Sequence, residues 1–194
     1  MGPAGLEYLV DSAMQNISIA LVHLGASAEA RELATRAAQS FEWREDARGA
    51  ATSRLHLAAA WLVDGDVERA YAEARAALAW SVAETPRRVW ALTMLARLEL
   101  TRGQPAQALE IAEQAQELAD AIGSVELGES QLWLTRVEAL DELGENERAR
   151  AILAQAYENL QAKAGKLDRD DWRDSYLLGV PTHARIVERY QRTT

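Results

Sequence analysis

The residues that could bind metals or transfer protons are scattered along the chain. The three histidines, His23, His56 and His183, lie in separate segments, and no two of them are spaced as i and i+4. A metal site needs several ligands that converge at fixed distances. We therefore expect ordinary surface or groove histidines, and we expect no metal site.

The other polar residues form no catalytic motif. The segment from Gly123 to Gly128 lacks the Lys-Ser/Thr pair of a phosphate-binding loop. Adjacent carboxylates such as Asp141 and Glu142 point about 100° apart on a helix, so they cannot act together as an acid–base pair. The chain has no cysteine, which excludes a thiol nucleophile and any disulfide. The sequence predicts neither an enzyme nor a cofactor.

Charge and hydropathy exclude further classes of protein. The net charge of -9 argues against binding to nucleic acid or to an anionic membrane, because phosphate groups require a basic surface. The apolar run at 57–63 is among the longest and is far too short to span a membrane. The N-terminal MGPAGLEYLVDS lacks a charged leader followed by an apolar core. We expect a soluble cytoplasmic protein, or a fragment of one.

A recurring Gly–x4–Ala–x6–Ala pattern organises the chain. Successive copies lie about 40 residues apart, which is typical of stacked helical repeats. Glycine can end one helix and turn into the next, and the two alanines fall on one face of the second helix. Each copy therefore predicts a helical hairpin in which small side chains allow close approach. The copies are Gly25/Ala30/Ala37, Gly65/Ala70/Ala77, Gly103/Ala108/Ala115 and Gly144/Ala149/Ala156.

The pattern and the candidate caps define four hairpins and no strands. Ser27, Asp66 and Thr85 are predicted N-caps, and Pro86 and Pro105 suit a first helical turn. Asp168 is predicted to cap a short helix through Tyr176, after which 179–181 interrupts and a last helix runs to about Gln191. The predicted helical pairs are 5–24 with 27–43, 47–64 with 67–82, 85–102 with 105–123, and 125–143 with 147–164.

The segment 163–194 departs from the repeat. It carries more basic than acidic residues, whereas 1–162 is strongly acidic. A solvated terminal cap explains this composition, and so does a terminal element that docks on an acidic neighbour. We divide the chain into hairpins at 1–162 and an atypical C-terminal cap at 163–194.

The glycine–alanine pattern resembles the second half of the tetratricopeptide repeat (TPR). The family also places a large residue eleven positions before the glycine, where Trp133 matches in type and Arg54 departs. Seven positions before the glycine, Ser18, Ala58 and Ala96 are small, as in the family. The resemblance covers about 6–162 and implies an all-α solenoid of about four hairpins. The long period resembles the longer-helix variety found in large bacterial signalling proteins.

The C-terminal residues carry a second resemblance. The segments WRDSYL at 172–177 and VPTHAR at 180–185 resemble the end of TPR regions attached to bacterial serine/threonine protein kinases and signal-transduction ATPases. Tyr176 stands where those proteins usually have Phe. The resemblance implies a regulatory or scaffolding module of a longer bacterial protein.

In the TPR family the first helix of each hairpin lines a concave groove. Carried over onto this sequence, that register predicts partner-binding residues at Asn16, His23, Thr52, His56, Trp90, Thr93, Arg97, Thr101 and Glu138. An alternative is that Trp90 packs against the next hairpin and that Arg97 pairs with Glu138 or Glu99. A clamp for a peptide's C-terminal carboxylate is not expected, because its five positions hold Gln15, Ile19, His56, Trp90 and Met94.

The remaining tryptophans are predicted to pack between hairpins, since each hairpin must bury its apolar face on a neighbour. These residues are Trp43, Trp61, Trp80, Trp133 and Trp172.

The resemblance implies a non-catalytic module that binds a protein or peptide, or the chain's own upstream domains. Two other functions stay open. A homodimer would bury Leu6, Tyr8 and Leu9 at the N-terminal edge, and a ligand sensor would enclose apolar volume around Ile19, Leu55 and Met94.

Overall fold

Ten helices follow one another in the computed structural model, which describes residues 3–123 and 128–193, with side chains from Gly5 onward. No strand occurs in these ranges, as predicted. The helices are Pro3–His23 (α1), Ser27–Trp43 (α2), Ala47–Val63 (α3), Val67–Trp80 (α4), Pro86–Thr101 (α5), Pro105–Ile122 (α6), Glu129–Glu142 (α7), Asn146–Ala164 (α8), Asp170–Leu178 (α9) and Pro181–Thr193 (α10). The predicted start of the seventh helix at Val125 lies outside the described residues.

The first eight helices form four hairpins, α1/α2, α3/α4, α5/α6 and α7/α8. The glycine of each repeat has a positive φ, for example +76° at Gly65, a left-handed conformation that side chains other than glycine disfavour. The paired alanines are buried, and seven of the eight have no exposed surface. The repeat therefore marks the turns and the tight helix contacts, which confirms the predicted fold class.

Two of the predicted caps are confirmed in position. The Asp66 side chain accepts a hydrogen bond from the Arg69 backbone N–H at 3.0 Å, as an N-cap should. Thr85 occupies the N-cap position before Pro86, but its hydroxyl donates backwards to the Val82 carbonyl at 2.8 Å and caps no helical N–H.

Two other predicted caps are wrong. Ser27 is the first residue of α2, and its hydroxyl donates to the carboxylate of Asp64 in the next turn. The N-cap position of α9 is Arg169 rather than Asp168. Both serine and aspartate have alternative partners near a turn, so their presence alone does not fix where a helix begins.

The packing of the hairpins defines an inner and an outer side. Each first helix packs against the next first helix, α1 on α3, α3 on α5 and α5 on α7. Within the described residues the backbones of the second helices stay apart, and long side chains bridge the gap, as in the Arg148–Glu113 ion pair at 2.8 Å. The ribbon therefore curves with the first helices on its concave side, which we call the inner face.

The C-terminal helix extends this inner face. α10 packs against both α7 and α8, as each earlier first helix packs against the hairpin before it. His183 links Ser130 of α7, at 2.9 Å, to the Tyr176 carbonyl of α9, at 2.8 Å. Arg185 and Arg189 pair with Glu138 of α7. The basic tail thus docks on an acidic neighbour within the chain, while the boundary predicted at residue 162 stays a prediction.

Arg54 occupies the position where the repeat usually has a large packing residue. Its guanidinium binds Glu42 of α2 and Glu73 of α4, each at 2.7 Å. The hydrogen bond to Glu42 is the main cause of a raised pKa at Arg54. An ion-pair bridge between the second helices of neighbouring hairpins therefore replaces an aromatic side chain.

The tryptophans divide into packed and exposed residues. Trp133 is only 6% exposed, and Trp61 and Trp80 are half-buried, so all three pack as predicted. Trp43 and Trp172 are 82% and 51% exposed, so the packing role predicted for them is wrong. Trp43 is the last residue of α2, and Trp172 lies on α9, a short helix with no buried residue. Helix ends and short helices offer little surface against which a ring can pack.

Candidate functional site

Seven of the nine predicted binding residues reach the surface of the inner face. Asn16, His23, Arg97 and Thr101 are exposed, and Thr52, Trp90 and Glu138 are half-buried. They come from α1, α3, α5 and α7, so the array itself brings them to one side. Their role in binding stays a prediction.

His56 is buried, contrary to the expected groove position. The ring is 4% exposed, and its Nδ1 lies 2.9 Å from the Gln15 carbonyl oxygen and 3.1 Å from the Ser18 hydroxyl on α1. Desolvation lowers the pKa of His56 to about 4, against the opposing effect of the Gln15 hydrogen bond. The neutral ring donates its Nδ1 proton to the Gln15 carbonyl. His56 therefore joins α1 to α3 and is not available to a partner.

Thr93 is also inside the protein. It is buried, and its hydroxyl donates to the Val89 carbonyl of its own helix at 2.9 Å. His183 is buried as well, so two of the three histidines are structural, whereas the sequence suggested surface or groove positions. The sequence does not reveal how deeply the neighbouring helices cover each position on α3, α5 and α10.

Trp90 combines packing with access. Its ring lies edge-on to His56, with centroids 5.6 Å apart, and a Cβ added at Gly128 would approach its Cδ1 to 3.3 Å. The residue is nevertheless partly exposed on the inner face. One edge of the ring is therefore fixed by neighbouring hairpins while another can contact a partner.

Arg97 does not form the carboxylate pair considered from the sequence. Its guanidinium donates to the Gln131 side-chain oxygen at 3.2 Å. Glu138 pairs instead with Arg185 at 2.7 Å, and Glu99 pairs with Arg102. Arg97 is an exposed residue, but it lies within the concavity, where desolvation lowers its pKa; Glu138 opposes this effect and Arg185 adds to it.

Three inner-face arginines were not predicted from the sequence. Arg87 donates to the Thr52 hydroxyl at 3.1 Å, close to Arg48, and Arg185 comes from α10. The spacing on α5 could have revealed Arg87, because it precedes Trp90 by three residues and Arg97 by ten, on the same helical stripe. Arg185 lies outside the repeat, so no register pointed to it.

Other kinds of site find little support in the structure. Within 3–123 and 128–193, no group of His, Asp or Glu is arranged to hold a metal ion. Two clefts of about 230 and 160 Å³ are lined by neither Ile19, Leu55 nor Met94, so they do not favour the alternative of a ligand sensor. No helix in the described part of the chain is long and apolar enough to cross a membrane.

Comparison with known proteins identifies the fold alone. No family model matches the chain, and the search of curated proteins found no significant match. Two solved structures are similar, both of a protein described as a kinesin light chain of Podosopora anserina with nearly identical TPR-like repeats. A form with a glutamine-to-methionine substitution has a TM-score of 0.64 and the other form 0.63. Each is 20% identical and covers 93% of this chain and 83% of that chain. The chain therefore has the fold of a TPR-like α-solenoid.

Proposed function

We propose that this protein is a non-catalytic interaction module that binds an extended segment of a partner protein along its inner face. Repeat folds of this kind present a preformed concave surface, which reduces the ordering cost of binding. The observation that carries the proposal is the α5 stripe, where the accessible Trp90 ring is followed by the exposed Arg97 and Thr101. Asn16 adds an exposed amide with no intramolecular hydrogen bond in the described chain.

The segment 170–185 supports a place in a larger bacterial signalling protein. Its resemblance to the end of kinase- and ATPase-linked TPR regions fits the way His183 and Arg185 attach the last helix to the array. In that setting the partner is another cytoplasmic protein or an upstream domain of the same chain.

A peptide library tests the proposal directly. Peptides enriched on the wild-type protein should be lost on an Asn16/Arg97/Thr101 triple alanine variant. The matched control replaces Gln107, Gln114 and Glu117, which are exposed on α6 at the outer side. Equal enrichment on both variants would place the binding surface elsewhere and reject the proposal.

Self-association is the second candidate, and an exposed apolar stripe on α1 favours it. Leu6, Val10 and Ile17 are among its members, and all are at least 45% exposed. α1 contains only two acidic residues and no Lys or Arg, so two copies could pair with little charge repulsion. The stripe comprises Leu6, Leu9, Val10, Ala13, Ile17 and Ala20, and Leu24 continues it just beyond the end of the helix.

Light scattering across a concentration series distinguishes this candidate. A dimer that becomes a monomer on Val10→Glu and Ile17→Glu substitution would assign the stripe to a second copy. A wild-type monomer at all concentrations would reject it, leaving the inner-face proposal untouched.

A further inference from the structure

The centre of the inner face is rich in arginine, although the chain has a net charge of -9. α3 and α5, the two central first helices, contain five Arg and a single Glu. That glutamate, Glu99, is buried and paired with Arg102, and Arg54 is neutralised by two glutamates between the second helices. The remaining arginines of the two helices therefore give the centre of the inner face an excess of positive charge.

Arg48 and Arg87 form one end of this surface. Arg87 contacts Thr52, while Arg48 is exposed, and neither forms an ion pair within the described residues. Desolvation lowers the pKa of Arg87, repulsion from Arg48 adds to the effect, and Asp46 opposes it less strongly. The Asp46 carboxylate already caps α3 through the Gly49 N–H. Two neighbouring cations are thus held together without a carboxylate partner.

Arg97 and Arg185 form the other end. Glu138 is shared between Arg185 at 2.7 Å and Arg189 at 3.7 Å, and Arg189 also pairs with Asp141. Among the residues that the structure describes, Arg97 has only the neutral Gln131 side chain as a hydrogen-bond partner. Arg185 and Arg189 therefore share Glu138 and Asp141, while Arg97 forms no ion pair within the described residues and keeps its positive charge available at this end.

The distance between the two ends follows from helix geometry. Arg87 and Arg97 are ten residues apart on α5, which corresponds to about 15 Å at the rise of an α-helix. An extended peptide covers that distance in roughly four to five residues. Trp90 lies between the two arginines on the same stripe and is partly exposed, whereas Met94 beneath it is buried, so the Trp90 ring is the apolar surface between the two ends.

We propose that the inner face recognises an extended acidic polypeptide segment, with one carboxylate at Arg48/Arg87, a second at Arg97/Arg185, and an apolar side chain over Trp90 between them. This inference rests on the proposed function and specifies its partner. In the unbound protein the neighbouring arginines repel each other. Charge-assisted hydrogen bonds from their guanidinium groups to the carboxylates of the bound segment would offset this repulsion. The arginines form two separate pairs with a tryptophan between them, whereas a nucleic-acid backbone would need a continuous row of cations along its phosphates.

Fluorescence anisotropy with two synthetic peptides tests the proposal. The first carries two glutamates about five residues apart with a leucine between them, and the second replaces both glutamates with glutamine. We expect the glutamate peptide to bind on the order of tenfold more tightly, and we expect this difference to shrink as salt is added.

Single substitutions then assign the contacts. Arg87→Gln and Arg97→Gln should each weaken the glutamate peptide by roughly fivefold, with little effect on the glutamine peptide. Arg75→Gln removes the same charge from an exposed position on the outer helix α4 and should leave binding unchanged. Circular dichroism of each variant verifies that the fold is intact.

Equal affinity for the two peptides, or no effect of Arg87→Gln and Arg97→Gln, would overturn the proposal. Tighter binding of a single-stranded DNA oligonucleotide of matched charge would replace it with a nucleic-acid surface. If neutral peptides from the library bind the inner face instead, the acidic partner is rejected while the interaction module stands. If no peptide is retained by the inner face, both inferences fail.

Discussion

Lowering the pH should destabilise the protein through the buried imidazole of His56. Its folded pKa of about 4 lies below the ordinary value of 6.5, because burial disfavours the charged ring. Since the unfolded chain binds the proton more readily, the stability contributed by neutral His56 is fully present above pH 6.5. It is lost as the pH falls from 6.5 towards 4.

The magnitude follows from the two pKa values. The full shift corresponds to about 3 kcal/mol, of which about 2 kcal/mol should already be lost between roughly pH 7.5 and pH 5. Carboxylates also titrate in this range, so the wild-type loss alone does not isolate the histidine. A His56→Asn variant does so, because its amide can donate to the Gln15 carbonyl but carries no titrating proton.

Urea unfolding of both proteins at the two pH values measures the difference. The wild type should lose about 2 kcal/mol more than His56→Asn on acidification. His23→Asn, at the exposed end of α1, is the matched control and should keep the wild-type difference. Equal losses in wild type and His56→Asn would show that burial does not lower the pKa of His56, and would refute the reasoning.

Three further substitutions test the fold. Trp133→Ala should lower the free energy of unfolding by about 3–5 kcal/mol, because it leaves a cavity in the core between α7 and α8; an unchanged melting temperature would reject the repeat register. Arg54→Gln should cost about 1–3 kcal/mol in urea unfolding, because Glu42 and Glu73 lose their shared cation; an unchanged free energy of unfolding would contradict the ion-pair bridge. Ala70→Leu should cost about 1–3 kcal/mol by calorimetry, since the alanine has no exposed surface and a larger side chain must separate the helices; a neutral effect would contradict the tight contact.

The hairpins could be predicted because their signals are local. A glycine that ends a helix and an alanine at a close helix contact act within a few residues of each other, so Gly65 and Ala70 reveal the turn and the packed face together. The same logic recovered Asp66 as a cap. The prediction for Ser27 was wrong because its hydroxyl binds Asp64, which belongs to the next hairpin and is distant in sequence.

The inner face was harder to predict because its surroundings come from several hairpins. His56 sits in the expected register, yet its burial depends on Gln15 and Ser18 of the preceding first helix. The pKa of Arg97 depends in part on Arg185, which lies on a helix outside the repeat. Periodicity indicates the direction in which a side chain points, whereas its depth and its neighbours follow only from the assembled stack.

The unequal packing on the two sides of the ribbon has a mechanical consequence. Successive first helices, α1, α3, α5, α7 and α10, contact one another directly. Successive second helices are joined to one another by side chains alone, although each also packs against the first helix that follows it. When the curvature changes slightly, neighbouring hairpins should therefore rotate about the contacts between their first helices, and the distances between their second helices should change most. A rigid ligand that contacts several hairpins at once would resist this bending. Binding at one place would therefore stiffen the entire array.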